Sequence, residues 1–177
     1  MKLKNIAIFT ITVFNLFKLT AVYSSGLNTG CLKSDSDSGI IIVIESVRNL
    51  IQCEIQKVEK KVIKEIPVWK VNAIIFTGGS ISFEFSFDEI ELIQINADEG
   101  PFDYDLQPLK ESVSFSSARI TAENQSGLKT LKWCFKKVKQ NWEYNLWVFT
   151  KSGKPQIRIN AITGELIKKK SNKNKLN

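Results

Sequence analysis

A run of alternating apolar residues occurs twice in this chain, in one register and 73 residues apart. Residues 69–77 read WKVNAIIFT, and residues 142–150 read WEYNLWVFT. After a loop that is one residue longer in the second copy, the tripeptide ELI recurs at 91–93 and at 165–167. Self-similarity at a fixed spacing indicates that one supersecondary unit is built twice.

The periodicity inside each copy predicts antiparallel strands. Every second residue of 81–87 is Ile or Phe and the residues between are Ser or Glu, which is typical of a strand with one buried face. Two further apolar faces follow the same rule: Trp69, Val71, Ala73 and Ile75, and Trp142, Tyr144, Leu146 and Val148. The pairs at 78–79 and 152–153 predict hairpins, and 160–165 predicts a last hairpin in which Gly164 adopts positive φ.

A helix is predicted ahead of each set of strands. Ser114 is a suitable N-cap for a helix from Phe115 to about residue 124, which Gly127 would end. In the first copy, serines at 36–38 precede apolar residues at helical spacing. Because 40–44 is a run of β-branched residues, a strand there is the alternative.

These elements predict an α+β fold of two tandem units, each a helix packed on a three- or four-stranded antiparallel sheet. The first unit would span 38–105 and the second 106–170, preceded by a linker at 25–37 and followed by a basic tail at 171–177. Each unit alone would be small for an independent core.

The last hairpin reads NAITGELI over residues 160–167 and resembles the closing turn of the PepSY family, with Asn160 in place of the usual Asp. The matching turn residues are Asn160, Ala161, Thr163, Gly164 and Glu165. Residues 114–124, SFSSARITAEN, are similar to the family's helix, whereas the first unit keeps Glu-Leu-Ile but lacks Thr-Gly. The resemblance implies an extracytoplasmic binding or regulatory module, of the kind found in propeptides of thermolysin-like metalloproteases, and implies no catalytic residues.

The first 24 residues have the pattern of an export signal, with Lys2 and Lys4 ahead of an apolar run over 6–17. We expect them to be cleaved, which places the protein in the periplasm or outside the cell. Small residues precede Cys31 as in a lipid-modified cysteine, but Asn28 stands where such signals usually carry Leu. We therefore expect an unmodified Cys31 in a linker, with a lipid on Cys31 as the alternative, so membrane contact is expected only through the leader or through that lipid.

The chain contains no histidine, which removes the commonest general base and the His-based nucleophilic and zinc sites. We therefore expect a protein that is not an enzyme and needs no cofactor or metal. Four carboxylates, at Asp98, Glu99, Asp103 and Asp105, are interpreted as a solvated acidic connector, with a calcium loop as the alternative.

Charge is divided unevenly along the chain. Residues 31–112 carry 8 basic and 15 acidic side chains, whereas residues 113–177 carry 14 basic and 3 acidic side chains.

Four residues form the predicted partner surface. Lys132 and Lys136 share one face of their strand, and Trp147 and Phe149 lie on the polar side of theirs. The partner is expected to be an envelope protein and not nucleic acid; the alternative is a structural or adhesion role in which the basic half contacts anionic envelope material.

Cys53 and Cys134 are candidates for a disulfide that would join the two units, with two buried free thiols as the alternative.

Overall fold

The computed structural model describes residues 36–149 and 156–170. The leader at 1–24, Cys31, the hairpin residues at 152–153 and the tail at 171–177 lie outside the described residues. The described elements follow the chain as α1 (Ser36–Leu50), β1 (Cys53–Ile63), β2 (Ile66–Ile75), β3 (Ser80–Ser86), β4 (Leu92–Glu99), α2 (Phe115–Ser126), β5 (Thr130–Val138), β6 (Asn141–Val148), β7 (Gln156–Asn160) and β8 (Leu166–Lys170).

The eight strands form one antiparallel sheet in which each strand pairs with its neighbours in chain order, from β1 to β8. The prediction of two tandem helix-on-sheet units is therefore wrong. The two halves join where β4 pairs with β5 through Gln94↔Lys136, Ile95↔Phe135, Asn96↔Cys134 and Ala97↔Trp133. Separate units would leave both of these strands as unpaired edges, and their pairing satisfies the backbone groups while merging the apolar faces.

The helix predicted from Ser114 is confirmed as α2. The Ser114 hydroxyl accepts a hydrogen bond from the Ser117 backbone N–H at 3.4 Å, and the helix ends at Gly127 with φ of 69°. The predicted stripe is also confirmed, since Phe115, Ala118 and Ala122 are all fully buried.

The first helix is confirmed as well, and its strand alternative is not realised. Val43 and Val47 are fully buried, with Ile40 and Leu50 packed against the core beside them. Helical spacing places these four residues on one face, and burial of that face outweighs the β-propensity of the isoleucines. Gly39 permits close packing, because a Cβ at that position would lie 3.2 Å from the Trp69 ring.

One face of the sheet and both helices enclose the hydrophobic core. A continuous apolar row crosses six strands through the register pairs: Val71, Phe83, Ile95, Phe135, Tyr144 and Ile159, all fully buried. Phe115 of α2 stacks on Trp133 with ring centroids 4.2 Å apart, and the Trp133 indole N–H donates to the Tyr104 hydroxyl at 2.9 Å. Both described helices pack on this face, and no described helix packs on the opposite face of the sheet.

The last hairpin has the predicted turn chemistry. The Asn160 side-chain oxygen accepts hydrogen bonds from the backbone N–H groups of Ile162 and Thr163 at 2.8 and 3.1 Å, and Gly164 has φ of 73°. Ala161 is fully buried, and its carbonyl accepts from the Val113 N–H at 2.7 Å. The motif residues at 160–165 therefore fix the turn and dock it on the segment that precedes α2.

In the part of the chain that the structure describes, neither helix combines the length and the apolarity that crossing a bilayer requires.

Candidate functional site

The sheet face opposite the helices, here called the open face, carries a row of polar residues across six strands. The row follows the register pairs through Asn72, Ser82, Asn96, Cys134, Asn145 and Arg158. A second row beside it contains Lys70, Glu84, Gln94, Lys136 and Glu143. A depression of about 300 Å³ lies over the first four strands, with Lys70, Asn72, Ser82 and Asn96 among its lining.

The structure brings three of the four predicted partner-surface residues together on this face. Lys132 pairs with Trp147 across β5 and β6, and its ammonium lies 4.7 Å from the centroid of the indole ring. Lys136 lies on the same face of β5, four residues further along the strand. Phe149 follows the end of β6 and is 58% exposed.

Several carboxylates on the open face are paired with cations. The Glu84 Oε1 atom lies 3.8 Å from the Lys70 Nζ atom, and the Asp98 Oδ1 atom lies 3.8 Å from the Lys132 Nζ atom. At the β1 end, hydrogen bonds from Lys57 and Lys61 lower the pKa of Glu59 to about 2. Lys136 has no ion pair among the described residues.

Glu143 and Arg158 form the strongest of these pairs. The guanidinium donates to both carboxylate oxygens, at 2.7 and 2.5 Å, and Glu143 is only 3% exposed. Alternation along the sequence placed Glu143 on this face but did not identify the pair. Opposite charges on neighbouring strands could have indicated this ion pair, but they can be matched only when the β6–β7 register is known.

Asn145, the next residue on this face of β6, is 2% exposed and incompletely bonded. Its side-chain oxygen accepts from the Gln156 amide at 2.6 Å, while its own Nδ2 group has no hydrogen-bond partner within the described structure. Buried polar groups are nearly always paired, so this donor marks a place where an acceptor from outside would be stabilised.

The candidate disulfide is not formed, since Cys53 and Cys134 are both free thiols. Three strands separate β1 from β5, which corresponds to about 19 Å at the usual strand spacing, whereas a disulfide needs Cα atoms about 6 Å apart. Burial raises the pKa of Cys134 to about 11, so this thiol is protonated at neutral pH and is a poor nucleophile.

The carboxylates of the acidic segment at 98–105 contact different parts of the protein and do not converge on one site. Asp98 lies 3.8 Å from Lys132 and Asp103 lies 3.2 Å from Arg119, while Asp105 accepts from the Ser116 hydroxyl at 2.7 Å. No group of three or more Cys, Asp or Glu side chains suited to a metal ion is found among the residues at 36–149 and 156–170. A depression of about 450 Å³ lies beside this segment, lined in part by Arg48, Phe76 and Tyr104.

Comparison with known proteins identifies no family. No family model matches the chain, and no curated protein matches it. Among solved structures, a putative lipoprotein from Clostridium difficile 630 is similar over 76% of this chain and 91% of its own, with 11% identity and a TM-score of 0.37. A likeness at this level carries no argument about function.

Proposed function

We propose that this chain is a non-enzymatic binding module that acts outside the cytoplasm and holds a protein partner against its open face. The observation that carries the proposal is the open face itself. Both helices pack on the other side of the sheet, while this face presents Trp147 under the Lys132 ammonium and a buried donor on Asn145. Trp is enriched among the residues that contribute most to binding at protein interfaces.

The chemistry of the described side chains supports binding rather than catalysis. Several carboxylates of the open face are engaged by cations, and the Cys134 thiol is protonated at neutral pH. The sequence supplies no histidine to activate a nucleophile.

The leader-like segment at 1–24 supports export, and the resemblance of 160–167 to the closing turn of PepSY units supports a regulatory role. A secreted or envelope protease is one class of partner that this resemblance suggests.

Site-specific photo-crosslinking in the protein's own host tests the proposal. A benzophenone side chain at Gln94 would lie on the open face, whereas the same group at Ile120, which is 54% exposed on α2, serves as the control. We expect a discrete protein adduct from position 94 and none from position 120. Adducts from position 120 alone, or from neither position, would contradict the proposal.

If position 94 captures an anionic polymer instead of a protein, and moderate salt during crosslinking abolishes this capture, the result would favour the adhesion role.

A further inference from the structure

Lys136 is a cation of the open face that has no carboxylate partner among the described residues. It lies opposite Gln94 on β4 and Glu143 on β6. Glu143 is already bound by the Nε and one terminal nitrogen of the Arg158 guanidinium, and no other carboxylate lies within ion-pair distance of Lys136 in the described structure. The neighbouring Lys132 differs, because it is paired with Asp98.

Asn145 adds a second unused donor beside this cation. Since Cys134 pairs with Asn145 and Lys136 pairs with Glu143, Lys136 and Asn145 are diagonal neighbours on one face. Diagonal neighbours lie about 7–8 Å apart, and the long Lys136 side chain can close this distance around a ligand group bound at Asn145. Within the described structure the Nδ2 group lacks an acceptor and the Lys136 ammonium lacks an anionic partner.

We infer that the partner enters this face with the carboxylate of a Glu or Asp side chain, bound between Lys136 and the Asn145 amide. This inference rests on the proposed function and specifies its chemistry. Charge-assisted hydrogen bonds from an ammonium and an amide suit one monoanion. A phosphate dianion is disfavoured, because Glu143 lies directly opposite Lys136 and Glu84 lies in the same row.

The Asn145 amide is covered, yet both helices pack on the other face of the sheet. Among the described residues, the side chains beside Asn145 on the open face include Trp147, Gln156 and Arg158. Trp147, two residues along β6, offers its ring to the methylene groups of the entering residue.

A pair of peptides provides the test. The mature chain, labelled with ¹⁵N, is titrated with acetyl-hexaglutamate amide and, separately, with acetyl-hexaglutamine amide. We expect the glutamate peptide alone to shift the side-chain amide resonances of Asn145. Lys136→Gln should weaken binding about tenfold, the loss of one charge-assisted contact.

Lys137→Gln is the matched control, because Lys137 is the adjacent exposed residue and points to the other side of β5. It should change affinity by less than about twofold. Equal weakening by both variants, binding of the glutamine peptide, absence of binding or unmoved Asn145 resonances would each overturn the inference. If these outcomes accompany a protein adduct from position 94, the proposed function stands and only the carboxylate site falls. A responsive Asn145 without that adduct would keep the carboxylate site and remove the proposed protein partner.

Discussion

The ion pair between Glu143 and Arg158 lies on a sheet face that no helix covers among the described elements, yet its carboxylate is almost completely buried. Burying a charge is unfavourable unless a partner compensates it, and here both carboxylate oxygens receive a guanidinium N–H. The alternation in β6 predicted that Trp147 and Glu143 share a face. The pair itself could not be predicted, because it depends on the register between strands joined by a loop.

Replacing Arg158 with Met should destabilise the protein, because it leaves the Glu143 carboxylate buried without a cation. We expect the free energy of unfolding to fall by about 1–3 kcal/mol, less than for a fully buried pair since the Arg158 side chain is 23% exposed. Urea denaturation followed by circular dichroism measures the change. Lys136→Met, on the same face but without an ion pair in the described structure, should cost less than about 0.5 kcal/mol, and equal losses would contradict the importance of the pair.

At the scale of elements, the helices were predictable because their signals are local. Ser114 and Gly127 mark the ends of α2 in the sequence, and the structure places both as caps. For α1 the β-branched run at 40–44 left a strand open, and only the packing of Val43 and Val47 on the sheet decides between them. Local propensity is thus ambiguous where a helical pattern is rich in β-branched residues, and tertiary packing then decides the element.

Gly127→Ala should destabilise α2 through the backbone alone. The glycine has φ of 69°, and a Cβ there would meet nothing within 4 Å, so the penalty is the left-handed conformation itself, about 1 kcal/mol. Thermal unfolding by calorimetry measures it. Asn124→Ala, an exposed change within the same helix, should leave stability unchanged or slightly raised. A neutral Gly127→Ala would show that the helix does not end in this way.

At the scale of the whole molecule, the strands were predictable and their assembly was not. Alternation identified the buried faces of β2, β3 and β6, and turn residues identified two of the described hairpins. The pairing of β4 with β5 has no such signal, since these strands are separated by α2 and a connecting segment. The same pairing brings Gln94 beside Lys136. The extent of the open face could therefore not be predicted from the sequence either.

The central claim is that one continuous sheet joins both halves and thereby creates one open face. Asn96 and Cys134 are direct register partners across β4 and β5, so a thiol introduced by Asn96→Cys should lie within disulfide distance of Cys134. The variant is made with Cys31→Ser and Cys53→Ser, oxidised while folded, and analysed by mass spectrometry of its proteolytic peptides. The control is Ser82→Cys in the same background, because Ser82 lies one strand further away, about 10 Å from Cys134. We predict an intramolecular disulfide from position 96 and none from position 82; reduced thiols at position 96 in the folded protein would contradict the single sheet.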